Sequence, residues 1–429
     1  MAACNSNNNN VVNNMENEMK LREDFEVNVM KNMATFKKKK QRKSSYFRPK
    51  FGCFGLDIDS PTVDKKNEDG SVDMVSANED GFPRTNAPTH LIVMVNGIIG
   101  SAEDWRYAAK QFLKAYPHDV IVHCSERNTS TSTFDGIDTM GERLADEVIS
   151  VIRRYPHLCK ISFIGHSLGG LIARYAIALL YESNYVSKAF KENGEFEGDM
   201  QKQVVHEQKF SGKIAGLEPM NFITIASPHL GSRAHNQVPL FCGLHTLEIF
   251  ARRTSWFLGR TGRHLFLTDG GKGKAPLLLR MVNDCEGLPF MSSLHSFKRR
   301  VAYANIQFDK LVGWCTSSLR RETELPELKH KPRNERYRHI VNEETPAVDA
   351  PQQDFTRQPS VTGRTNMTTQ EITEAMITQL TKLSWHRIDV KFGGGRHRLL
   401  AHNSIQVQTY CISKAGADVI QHMIDNFAL

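Results

Sequence analysis

Apolar strand patterns that alternate with helix-spaced patterns predict an α/β fold, with a mostly parallel central sheet covered by helices on both faces. Two further observations narrow this to the α/β-hydrolase class with helical insertions. One is a Gly-x-Ser-x-Gly turn set between a β-rich run and a helix-forming run. The other is a candidate acid and a candidate base that follow the serine in the chain order this class uses.

The elements justify the class in order. Residues 90–100 read as a buried strand running into a glycine turn, and 105–116 have helical spacing. Residues 119–124 form a second strand pattern and 140–155 an amphipathic helix. Residues 160–165 are the third strand, ending at Gly165-His-Ser-Leu-Gly169, and a decamer without helix breakers follows. By composition alone such a turn arises in about one chain in seven of this length, so the flanks decide the matter. Strand patterns at 220–227 and 300–306 complete the set. The hydrolase domain is expected over 88–429, interrupted by insertions at 182–219, 232–298 and 319–370. The second insertion carries an apolar helical stretch, 239–258, that reads as a packed helix or a lid.

Composition bounds the rest. With 40% hydrophobic and 24% charged residues in 429, a large core is available. No apolar run is long enough for a membrane span, and the N-terminus lacks an apolar signal core. The eight cysteines have no paired close spacing, which with no signal segment predicts reduced thiols in a cytoplasmic protein. No ligand spacing calls for a metal, and no cofactor is expected. The net charge of +8 is partly local, since residues 37–50 hold eight Lys and Arg and no acid. They lie in an Asn-rich and basic segment, 1–87, that reads as a disordered tail. Its basic run suits peripheral contact with an anionic membrane, and no specific nucleic acid partner is expected.

A serine hydroxyl needs a base in hydrogen-bond reach, itself held by a carboxylate. Ser167 is the candidate nucleophile, with Gly165 and Gly169 leaving room for a strained turn. Asp309 directly follows a strand pattern and is the best acid, ahead of the turn residue Asp269 and mid-strand Asp389. His402, in a loop between apolar segments, is the best base; His386 and His397 have charged neighbours suited to an exposed face. The oxyanion donors fall at the backbone of Leu168, after the nucleophile, and of Ile98, where Gly97 lets the loop approach. His166 and His229 are candidate pocket residues, His229 as a pocket wall or a loop anchor.

Four motifs carry a family resemblance: Val93-Met-Val-Asn-Gly-Ile-Ile-Gly-Ser-Ala-Glu-Asp-Trp105, Gly165-His-Ser-Leu-Gly-Gly-Leu-Ile-Ala-Arg-Tyr175, Asn221-Phe-Ile-Thr-Ile-Ala-Ser-Pro-His-Leu-Gly-Ser232 and Arg300-Val-Ala-Tyr-Ala-Asn-Ile306. Over about 88–429 the chain resembles the lipase-like serine esterases among α/β-hydrolases, their plant members above all. The resemblance implies hydrolysis of acyl esters, with lipids as the substrate class. One departure is Asn96-Gly97, where many lipases carry His-Gly. The alternatives are a protein acyl-thioesterase using the same triad and a silent hydrolase fold acting as a membrane-associated interaction module.

Overall fold

β-Branched and long apolar side chains in unbroken runs favour strands buried on both faces. In the computed structural model, residues 62–77, 87–181, 212–232, 258–271, 273–285, 287–328, 335–346, 367–393 and 400–429 are described. All of them belong to one compact unit, Asp57–Leu429. Its main sheet contains β1 (Thr62–Lys66), β2 (Val72–Ser76), β3 (His90–Val95), β4 (Val120–Cys124) and β5 (Lys160–His166), then β6 (Glu218–Ile225), β7 (Arg299–Asn305), β8 (Ile340–Glu344) and β9 (His386–Val390). Across the sheet the order is β1-β2-β4-β3-β5-β6-β7-β9-β8. The six strands from β4 to β9 in that order run parallel, and the pairings of β1, β2 and β8 are antiparallel. This is the mostly parallel sheet that the alternating pattern predicts, finished by antiparallel edges.

Three helices follow the central strands: α1 (Arg106–Ala115), α2 (Ile137–Arg154) and α3 (Leu168–Leu180). Later helices include α4 (Thr369–Leu380), the single turn α5 (Ala401–Ser404) and α6 (Ala417–Asp425). Side chains of a strand alternate between its faces, and β3 shows the consequence. Leu91, Val93 and Val95 join a core with α2, α3 and α4, whereas Ile92 and Met94 join one with α1 and α6. Helix α3 is buried at 12 of its 13 positions, so it is a central element and not an amphipathic cover. Each large apolar side chain buried there contributes roughly 1.5–3 kcal/mol.

The structure corrects two boundaries. The tail expected over 1–87 is not a tail at 62–77, where β1 and β2 form an edge hairpin on β4. The short run Val72-Asp-Met-Val-Ser is mostly buried, but its acid and small size hid it among charged neighbours. Asp73 is its anchor. This buried carboxylate meets His123 at 2.6 Å and Arg154 at 2.9 Å, and His123 meets Glu147 at 3.2 Å on its other nitrogen. Burial opposes charge on His123, but the two carboxylates outweigh it and push its pKa up to about 9. The insertion expected over 319–370 likewise contains the edge strand β8, whose Ile340 and Asn342 are buried while Glu343 and Glu344 are exposed. The 239–258 stretch lies outside the described residues except for its last residue, as do residues 37–50. Among the described residues no helix is long and apolar enough to cross a membrane.

The hairpin makes a testable difference between two truncations. A chain starting at Asp57 should unfold in urea much as the full chain does. A chain starting at Thr89 loses Asp73, which leaves Arg154 without its carboxylate and His123 with Glu147 alone. Removing one partner of a buried ionic group costs about 3–5 kcal/mol, and the urea midpoint should fall accordingly. Equal midpoints for both would show that the hairpin is an ornament.

Candidate active site

Sheet register brings the first parts of the site together. In the β3–β5 pair Val95 stands opposite Gly165, so the loop that leaves β3 begins beside the turn that leaves β5. That turn forces Ser167 to φ 53° and ψ −125°, a conformation that L-residues rarely take. The neighbours hold it there, since the Ser167 N–H donates to the Ile225 carbonyl of β6 at 2.8 Å. A Cβ on Gly169 would lie 2.2 Å from the Val95 carbonyl oxygen, and one on Gly165 would lie 2.6 Å from the Gly170 nitrogen. Both glycines are therefore required by close backbone approach, as the motif predicts. Leu168 opens α3, where the backbone N–H groups of a first helical turn lack helical partners and favour negative charge.

Gly97 sits against the serine. A Cβ there would come within 2.9 Å of the Ser167 Cβ. Ile98 follows in a tight turn, closed by the Gly100 N–H donating to the Gly97 carbonyl at 3.1 Å. Asn96, the departure from His-Gly, ties this loop down: its Nδ2 donates to the Asn128 carbonyl at 2.8 Å, and Asn128 Nδ2 donates to the Met140 carbonyl at 2.8 Å. The Thr129 hydroxyl donates to the Gly100 carbonyl and the Ile99 N–H to the Thr133 hydroxyl, at 2.9 and 3.1 Å. The amide pair Asn96 and Asn128 thus anchors a loop in which many lipases have a histidine.

Asp309 and His402 are 93 positions apart and meet with His402 Nδ1 2.9 Å from Asp309 Oδ2. Parallel pairing explains how. Strands β7 and β9 are neighbours, with Asn305 opposite Val390, so the segments beyond their C-terminal ends lie side by side. The turn after β7 organises itself around Asp309, whose Oδ1 accepts from the N–H groups of Leu311 and Val312 at 3.0 and 2.9 Å. Its carboxylate side chain is 2% exposed. Burial alone would raise its pKa, but the His402 charge and the hydrogen bonds from His402, Val312 and Asn305 hold it below the usual carboxylate value. His402 occupies the first turn of α5 rather than an open loop.

Two residues that sequence reasoning missed or undervalued complete the cluster. Asn305 Nδ2 donates to Asp309 Oδ2 at 2.9 Å and contacts the Ala401 carbonyl at 3.3 Å, linking the segments that carry Asp309 and His402. Its place at the last position of β7, four before the acid, was the only available signal. His166, immediately before Ser167, has Nε2 2.8 Å from the His402 carbonyl oxygen, and the two rings lie 4.7 Å apart. Burial, then the nearby His402, lowers the His166 pKa to about 3, so its ring is neutral.

The remaining candidates go elsewhere. His229 is fully buried, with Nε2 3.0 Å from the Thr224 hydroxyl and its ring edge-on to Trp385, which makes it an anchor for the turn after β6. Asp269 accepts from the Leu277 N–H at 2.7 Å, and Asp389 pairs with Arg320 at 2.8 Å. His386, expected on an exposed face, is instead buried, with Arg299 and Glu343 as its polar contacts. His397 lies outside the described residues. Among the described residues no group of His, Cys, Asp and Glu could hold a metal ion.

The chain matches the family model described as "Putative serine esterase (DUF676)" over residues 85–319, a span that includes Ser167 and Asp309 but ends before His402. It is 33% identical over 234 residues to "Putative lipase ROG1" of Saccharomyces cerevisiae, covering 54% of this chain and 28% of that protein. It is 29% identical over 237 residues to "Putative lipase YDL109C" of the same yeast, with 54% and 30% covered. The chain therefore spans less than a third of the length of these relatives. Among solved structures it is similar to the Bacillus licheniformis lipase BlEst2 in mature form, at 15% identity and TM-score 0.32, with 56% of this chain and 74% of that one covered. A match over more than half of its 429 residues, read with the elbow serine and its surroundings, makes this chain a member of the serine esterase family that the model describes.

Proposed function

We propose that this protein is a serine carboxylester hydrolase acting on acyl esters of lipids. The observation that carries the reading is the contact of His402 Nδ1 with Asp309 Oδ2 at 2.9 Å, on a histidine whose main chain touches the residue before Ser167. With Nδ1 turned to the carboxylate, Nε2 is the nitrogen free to take a proton. Ser167 Oγ attacks the ester carbonyl as His402 Nε2 removes its proton. Asp309, kept ionised, stabilises the imidazolium that results. Backbone N–H groups of Ile98 and Leu168 receive the charge that builds on the carbonyl oxygen. The tetrahedral intermediate expels the alcohol, which takes the proton back from His402, and water then releases the acyl group by the same steps in reverse roles. Lipid as the substrate class rests on the resemblance to lipases. An acyl-thioester of a protein would undergo the same chemistry.

Labelling with a fluorophosphonate probe, together with turnover of matched acyl esters and thioesters, tests the reading. Labelling with preferred ester turnover is the expected result. An unlabelled, inactive folded protein would favour the silent interaction module. Gly97→Ala probes the oxyanion loop in the same assay. Its new methyl, 2.9 Å from the Ser167 Cβ, must push the loop away from the nucleophile. Donors moved by a fraction of an ångström lose transition-state contact more than substrate binding. kcat should therefore fall about 10–100-fold with KM little changed. A Gly97→Ala enzyme with normal kcat would remove this loop from the mechanism.

A further inference from the structure

His166 is a neutral, buried imidazole lodged between the nucleophile and the base, and the mechanism above gives it no step. A carbonyl oxygen only accepts hydrogen bonds. The 2.8 Å contact therefore places the proton of His166 on Nε2, donating to the His402 main chain. Nδ1 is then the bare nitrogen, and it faces the oxyanion loop, 3.5 Å from where a Cβ on Gly97 would be. His402 is consequently held at two points, its ring by Asp309 and its backbone by His166. Its neighbour Ala401 is contacted through its carbonyl by Asn305. Of these restraints, the one from His166 is the tie that runs to the nucleophile's own strand.

We propose that His166 is a positioning residue, which as a neutral donor straps the main chain of His402 to the end of β5 and so sets the base against Ser167. Neutrality matters as well as reach. When His402 accepts the serine proton it becomes an imidazolium, and a second cation with its ring 4.7 Å away would oppose that step. Burial removes the difficulty by keeping His166 uncharged. The groups that face its ring electrostatically are His402 itself and, behind it, Asp309.

This inference rests on the triad reading, and the test separates the two. His166→Gln keeps a neutral N–H donor at about the reach of Nε2, His166→Asn keeps one too short to reach, and His166→Phe keeps only the ring. In the full chain, kcat and KM for a soluble short-chain ester and the rate of fluorophosphonate labelling are compared across the three. The Asn and Phe enzymes should lose about 10–100-fold in kcat and in labelling rate, with KM within about 2-fold. The Gln enzyme should recover most of the loss. Gln as poor as Asn, or all three equal to wild type, would overturn the strap. If Phe fails to fold, the Gln–Asn pair alone decides. Ser167→Ala serves as the control. Persistent labelling there defeats the triad reading, whereas lost labelling beside a fully active His166→Asn defeats only this proposal.

Discussion

Ser167→Ala should abolish fluorophosphonate labelling and lower ester turnover by about 10⁴–10⁶-fold, with KM far less affected. The size follows from what the hydroxyl does. It is the atom that forms the bond to the acyl carbon, so without it only the oxyanion donors and substrate binding remain. The fold should survive, because Ser167 contributes its backbone to the elbow through the Ile225 carbonyl and alanine keeps that hydrogen bond. The decisive readings are labelling and kcat. Labelled Ser167→Ala protein would move the nucleophile elsewhere.

His402→Ala should cost nearly as much, and Asp309→Asn about 10⁴-fold. The two mutations fail for different reasons. Alanine at 402 removes the imidazole proposed to take the serine proton, the one hydrogen-bonded to Asp309. Asparagine at 309 keeps the volume and the bonds from Leu311 and Val312, but it removes the charge that stabilises the imidazolium. Buried Asp309 is held below the usual carboxylate value by its hydrogen bonds and the His402 contact, so it stays ionised at neutral pH. His229→Ala is the counter-test. Because His229 contacts Thr224 and Trp385 rather than the cluster, its loss should lower stability before activity. An inactive but stable His229→Ala beside an active His402→Ala would reverse the assignment.

By itself the sequence determined what local chemistry controls. Largely apolar runs predicted β3, β4 and β5, because a parallel strand buried on both faces is apolar at most of its positions. The elbow was legible since Gly165, Ser167 and Gly169 are adjacent in the chain and their constraint is local. Asp309 could be picked because it follows a strand and makes its own turn. The tertiary structure decided whatever depends on partners remote in sequence. The edge strands β1, β2 and β8 carry acids and small residues that look solvated until Asp73 is seen facing His123 and Arg154. The same holds for Asn305, which bonds Asp309 and reaches Ala401, 96 positions further along the chain. His166 reads in sequence as a spacer inside a motif. Only when β5 and α5 are folded together does its Nε2 find the His402 carbonyl, a contact spanning 236 positions that no periodicity encodes.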